Sequence, residues 1–165
     1  MGNSIVARQP ILNRKKETVA YELLFRTLSK NKDFDGSQAT AEVITSSLDF
    51  IGLDNLTKGK HAFINFTAKL IKSEIAEILP QKKIGIEILE DIEVDAELIS
   101  SSREVKKSGH ILLLDDFVYQ EELIPLIEMA DIIKIDFLQT TGKDRKEIME
   151  LIKINHNPDV KFLAE

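Results

Sequence analysis

The chain has no cysteine, so a disulfide framework and a thiolate metal site are both excluded. No uninterrupted apolar run approaches the ~18 residues that a membrane-spanning helix needs. The opening residues, Met1-Gly2-Asn3-Ser4, carry neither the basic start nor the apolar stretch of a secretory signal. No basic cluster interrupts an acidic balance of 28 Asp and Glu against 22 Lys and Arg, a net charge of −6. A nucleic acid polymer is therefore not an expected partner. Internal repeats and low-complexity tracts are missing. So is the glycine-rich turn after a first strand with which an open nucleotide-binding sheet holds phosphates. The location expected from these absences is the cytoplasm, off the membrane.

What the chain does have is an alternation of two periodicities. Its 165 residues, 43% hydrophobic and 30% charged, suffice for one domain with its own core. Residues 4–11 and 18–25 are rich in β-branched and apolar residues, and the polar residues 13–17 between them predict a hairpin. Ser37 is positioned to cap a helix in which Ala41, Ile44 and Leu48 recur at helical spacing. Strands are then predicted over 61–66, 83–88, 111–114, 132–135 and 160–163. The helices predicted between them are one capped by Thr67 and carrying Leu70, Ile71, Ile75 and Ile78, then 96–107 ending at Gly109, 121–130 and 143–154. Continuous apolar strands alternating with helices predict a parallel sheet covered by helices. A closed α/β barrel takes about 250 residues, so this chain reads as an incomplete circuit that stops directly after a predicted strand. Unpaired edges on the first and last strands would favour a homodimer or a swapped assembly.

Position makes the polar residues informative. The second predicted strand reaches Glu22, the third ends at Asn65, the fourth at Glu87 and the fifth at Asp115-Asp116. The sixth carries Lys134 and Asp136, and the seventh leads to Glu165. One acid after one strand is ordinarily a helix cap or a solvated turn residue. In a barrel, however, the C-terminal strand ends meet on one face, and carboxylates brought together there raise one another's pKa or recruit a cation. Oxygen ligands suit Mg²⁺, Mn²⁺ or Ca²⁺. A lysine inside the apolar run Ile132-Ile133-Lys134-Ile135 needs a buried partner, which such a cluster would supply.

The stretches Arg8-Gln9-Pro10-Ile11, Tyr21-Glu22-Leu23-Leu24-Phe25-Arg26, Ile64-Asn65-Phe66-Thr67, Ile86-Glu87-Ile88-Leu89-Glu90, Leu114-Asp115-Asp116-Phe117, Lys134-Ile135-Asp136 and Leu163-Ala164-Glu165 resemble, in order, the motifs of EAL domains. The first hairpin looks most like the branch in which a second, HDOD domain follows; in that case residues 1–165 form one truncated EAL domain. The resemblance implies a modified (β/α)₈ TIM barrel with an antiparallel first strand and a face that binds cyclic di-GMP. It implies Glu22, Asn65, Glu87 and Asp115 as ligands of one metal, and Asp115 with Asp116 as ligands of a second. The metals implied are Mg²⁺ or Mn²⁺, with Ca²⁺ as an inhibitory alternative. Lys134 and Glu165 match residues that orient or activate water, and Glu90 matches an acid that anchors the loop after the fifth strand. Gln9, Leu24, Arg26 and Asp136 match ligand-contacting positions; Leu24 would pack on a guanine and Arg26 would contact a phosphate. The chain departs from the family where active members continue with a glycine-rich, serine-containing loop. Here the loop reads Val118-Tyr119-Gln120-Glu121-Glu122. A family glutamine and a further strand would fall after Glu165. The expected function is thus a degenerate signalling module that binds cyclic di-GMP or a protein partner without efficient hydrolysis. A metal-dependent phosphodiesterase giving linear pGpG and a nucleotide-free scaffold stay open as alternatives.

Overall fold

The computed structural model describes residues 4–27, 44–45, 51–89 and 92–165. Two long strands open it, β1 (Ser4–Leu12) and β2 (Thr18–Thr27), paired antiparallel with Ser4 opposite Thr27 and Gln9 opposite Glu22. Asn13 makes their turn: its Oδ1 accepts from the backbone N–H groups of Lys15 and Glu17 at 2.8 and 3.0 Å. Five shorter strands follow, β3 (His61–Phe66), β4 (Ile84–Ile88), β5 (Ile111–Leu114), β6 (Ile132–Ile135) and β7 (Lys161–Ala164). Each pairs parallel with its predecessor, and strand order follows chain order from β1 to β7.

This sheet is strongly curled. Lys134 on β6 reaches Glu22 on β2 at 3.3 Å. Four strand spacings, about 19 Å in a flat sheet, would otherwise separate those strands, farther than both side chains can span. The fold is therefore an α/β half-barrel in which β1 alone runs against the other strands.

Curling sorts the residues by parity, because successive side chains point to opposite faces. Leu23, Ile64, Ile86, Leu112, Leu114 and Ile133 face outward into the main core. Leu98 and Val105 of α4 (Ala96–Lys107) and Ile152 of α6 (Gly142–Asn155) meet them there. The other parity faces inward. Ala20, Phe63 and Leu113 form a second, smaller apolar cluster on the concave side, with Ile11, Ile111 and Ile132 packed against it. Gly85 lies in this layer. A methyl group added there would come within 2.6 Å of the Phe63 ring and 2.9 Å of Leu113, so side-chain volume from both neighbours fills its place.

The helices differ from expectation where local hydrogen bonding competes with helix propagation. Thr67 does cap a helix, accepting from Leu70 N–H at 3.4 Å. That helix is only α2 (Ala68–Ile71); a separate α3 (Ile75–Ile78) follows, and Ile78 is exposed. Between them the Ser73 hydroxyl donates to Leu70 O at 2.6 Å, a side-chain bond that offers the backbone an alternative to the helix ladder. The helix expected over 121–130 is a 3₁₀ turn (Glu121–Leu123) leading into α5 (Ile124–Ile127), because Pro125 is tolerated only in a first helical turn. A five-residue helix, α1 (Leu53–Thr57), was not legible from periodicity. Of the helix expected after Ser37, only Ile44 and Thr45 are described, and Ile44 is buried. Elsewhere, Asp95 caps α4 through Leu98 N–H at 2.7 Å, Gly109 leaves it at φ 102°, and Thr141 caps α6 through Asp144 N–H at 3.3 Å. No helix among the described residues is long and apolar enough to cross a membrane.

Candidate functional site

One inward-facing position beyond the concave apolar layer, the same parity brings Glu22, Asn65, Glu87 and Lys134 onto the inner face, each two residues after an inward apolar residue or Gly85. Asp115 and Glu165 follow β5 and β7 directly. The ladder carries both of them: Asp115 N–H donates to Ile88 O at 2.9 Å, and Glu165 N–H to Ile135 O at 3.0 Å. Residues as far apart in the chain as 22 and 165 thus share one end of the curled sheet.

Lys134 is the centre of the group. Its side chain is 3% exposed, and Nζ stands 2.6 Å from Asp115 Oδ1, 2.9 Å from Glu165 Oε2, 3.3 Å from Glu22 Oε2 and 3.5 Å from Glu87 Oε1. Burial alone would pull the lysine's pKa down. Glu87, Asp115 and Glu165 outweigh it and hold the ammonium firmly charged. Glu87 fares worst. Burial pushes its carboxyl up to about 8; Lys134 opposes that shift, while Glu22, Asp115 and Glu165 reinforce it. Glu165 is also raised, by burial first, against the pull of Lys134.

Several buried oxygens in this group have no donor among the described residues. Asn65 gives its amide N–H to Glu22 Oε1 at 3.2 Å, and its own Oδ1 receives nothing. Both carboxylate oxygens of Glu87 also lack a hydrogen bond. The Asp115 Oδ1 contact with Lys134 is close but not aligned as one. Four hard acceptors without donors, converging from three strands, fit a divalent cation better than a protein donor. Asp115, Asp116 and Glu165 can also each place a carboxylate oxygen within 4.8 Å of the others.

Asp116 is held in an unusual way. Its φ is 38°, in the left-handed region, while its neighbours bond normally: Asp115 N–H to Ile88 O, and Phe117 N–H to Lys134 O at 3.1 Å. The kink lifts one residue out of the ladder. Burial first, then Asp115 and Asp136, raises its carboxyl pKa. The loop that follows has no glycine but is tied down, since Tyr119 Oη lies 3.2 Å from His156 Nε2 at the end of α6. Beneath it is a cavity of about 230 Å³ lined by Ile88, Leu114, Asp115, Asp116, Phe117 and Leu123 among others. A larger groove of about 470 Å³ along α6 contains none of the clustered carboxylates.

The remaining expected residues lie around this mouth. Gln9 stands directly across from Glu22 and is exposed; Leu24, two residues on from Glu22 and on its face, is 36% exposed. Asp136 follows β6, and its Oδ1 accepts from Leu138 N–H at 2.6 Å, a bond that holds the carboxyl below its ordinary pKa. Glu90 lies outside the described residues, and of Arg26 only the backbone, opposite Ile5, is described. Sequence reasoning did not anticipate the left-handed backbone of Asp116 or the Tyr119–His156 tie. An aspartate following another aspartate at a strand end is the one available signal for the first.

No protein-family model matches the chain. The chain is 45% identical over 152 residues to the uncharacterized protein YuxH of Bacillus subtilis (strain 168), a match covering 88% of this chain and 37% of that protein. It is 36% identical over 168 residues to the cyclic di-GMP phosphodiesterase CdgJ of Vibrio cholerae, covering 100% of this chain and 39% of that one. The chain therefore spans well under half the length of these curated relatives. Among solved structures, the Bacillus subtilis YkuI protein, with an EAL domain in complex with substrate cyclic di-GMP and calcium, superposes with a TM-score of 0.68 at 18% identity. That match covers 98% of this chain and 48% of the other.

Proposed function

The chain is an EAL-like domain, and on that footing we propose that it binds cyclic di-GMP through divalent cations held at the inner mouth of the half-barrel. The observation carrying this reading is the set of buried oxygens without donors on Asn65, Glu87 and Asp115. Glu22, Asn65, Glu87 and Asp115 would hold one ion, with Asp115 and Asp116 on a second. A divalent ion bound there would neutralise the phosphodiester's charge and lower the pKa of a coordinated water. Gln9, opposite Glu22, and Leu24, two residues further along the same face, would meet the nucleotide, Leu24 as an apolar surface for a base.

A second reading, hydrolysis to linear pGpG, draws support from Glu165. Its carboxyl pKa is raised by burial, against the pull of Lys134, and it is held 2.9 Å from Lys134 Nζ. A carboxylate so placed can take a proton from water as the water oxygen forms the new bond to phosphorus. The P–O3′ bond breaks, and the 3′ oxygen leaves as a hydroxyl by taking a proton from solvent, which balances the one that Glu165 accepted. The family likeness of CdgJ, named as a cyclic di-GMP phosphodiesterase, favours the same reading.

Labelled cyclic di-GMP titrated against the full-length protein tests the first reading. Binding in Mg²⁺ that disappears in chelator supports it, and metal-independent binding or none overturns it. Incubation with Mn²⁺ decides the second: pGpG must appear, and Glu22→Ala must abolish it.

A further inference from the structure

We propose that Lys134 is a resident cation of the carboxylate cluster, and that a divalent ion enters the site by exchange with its ammonium rather than by joining it. The inference rests on the metal-assisted reading above and deepens it, by naming what that site holds before any divalent ion arrives.

The geometry is that of an occupied cation site. Four carboxylates, from β2, from β4 and from the residues directly after β5 and β7, lie within 3.5 Å of one nitrogen. An ammonium has three N–H bonds to offer and no more. Four carboxylates therefore cannot all be served, and Glu87 is the worst placed of them. It stands farthest away at 3.5 Å, is 0% exposed, and neither of its oxygens receives a hydrogen bond. Lys134 thus compensates the cluster incompletely. A single positive charge with three donors holds together a group whose oxygens would satisfy a dication with six or more ligand positions.

The same contacts indicate how exchange proceeds. Glu165 lies directly after β7, the strand paired with the one that carries Lys134, and is 2.9 Å from Nζ. A lysine on its four-carbon stem can rotate outward while keeping that one partner. Moving toward Glu165 therefore vacates the centre of the cluster without stranding the ammonium. The counter-charge that holds these acids together is covalently part of β6.

The test is calorimetric titration of Mg²⁺ alone into the full-length protein and its Lys134→Met variant. With the competing charge removed, the variant is expected to bind Mg²⁺ at least tenfold more tightly. Equal or weaker affinity in the variant, with the wild type binding normally, overturns the exchange and leaves the metal site intact. Absence of Mg²⁺ binding in both proteins overturns the metal-assisted reading itself. Because the variant buries uncompensated carboxylates and could fail to fold, the wild type supplies a second measurement. The Lys134 side-chain ¹⁵Nζ resonance should change its shift and its proton-exchange rate on Mg²⁺ saturation, while that of exposed Lys143 stays put. An unchanged Lys134 resonance at calorimetric saturation would sink the proposal.

Discussion

Asn65 turns its amide nitrogen toward Glu22 Oε1, 3.2 Å away, and leaves its own carbonyl oxygen buried without a donor. The pairing fixes which end of the amide faces the cluster. It also makes Asn65 do two things at once: relieve a carboxylate on β2 and present a neutral oxygen beside Glu87. Asn65→Asp removes the donor and adds another buried charge. Losing a buried partner of a charged group costs on the order of 1–3 kcal/mol, so the variant should unfold at lower urea concentration in chelator. Saturating Mg²⁺ should recover most of that loss, since the new carboxylate is a stronger ligand than the amide. An equal loss in both conditions would show that positions 22 and 65 do not share an ion.

The pH dependence of stability follows from Glu87. Its carboxyl ionises near pH 8 in the fold against an ordinary value of 4.5. Between those values the folded protein holds a proton that the unfolded chain has released. Stability from this group is therefore complete below about pH 4.5, declines as pH rises through the window, and is gone above about pH 8. Urea unfolding in chelator from pH 5 to 9 should show the decline, and Glu87→Gln should flatten it. A decline of the same slope in Glu87→Gln would assign it to another group.

Gly85 offers a test of the concave layer that leaves the carboxylates alone. Nothing in its backbone requires glycine, and an alanine there would restrict the unfolded chain, favouring the fold by roughly 0.4–1 kcal/mol. Against that stand contacts of 2.6 Å to Phe63 and 2.9 Å to Leu113, both buried. Overpacking of this kind costs about 1–3 kcal/mol, so Gly85→Ala should be destabilising on balance. Adding Phe63→Leu should recover part of the loss. A neutral Gly85→Ala would mean that the inner layer is looser than these contacts imply.

How much of this was legible in the sequence depends on which face a residue occupies. The run Ile84-Gly85-Ile86-Glu87-Ile88 announced a strand and put its acid near one end. Because both faces of the sheet are buried, apolar residues occupy both parities, and periodicity could not say that Phe63, Gly85 and Leu113 line the concave side while Ile64, Ile86 and Leu112 face the helices. Lys134 was the clearer sign, being a charge that an apolar strand tolerates only with partners. The short helices escaped for a different reason. Ser73 and Pro125 divide what periodicity reads as continuous segments, and α1 spans five residues, too few for any period to register. The conformation of Asp116 had no signature beyond its identity.

Asp116 provides the sharpest separation of backbone from charge. At φ 38° an L-residue pays roughly 1–2 kcal/mol that glycine does not, while glycine loses about 0.5–1 kcal/mol through the freedom of its unfolded chain. Asp116→Gly should therefore be more stable than Asp116→Ala by about 0.5–1 kcal/mol, although both remove the same carboxylate. Asp116→Asn tests the charge alone, since asparagine accepts left-handed backbone as readily as aspartate. It also lifts the repulsion from Asp115 and Asp136 that, after burial, raises the Asp116 pKa. In chelator at pH 7 it should be at least as stable as the wild type. In Mg²⁺ or Mn²⁺ it should lose the affinity that a second ion on Asp115 and Asp116 would contribute, read as one fewer ion bound per chain in calorimetry. Full retention of stoichiometry in Asp116→Asn would remove Asp116 from the metal site and leave its kink as a purely structural feature of the loop.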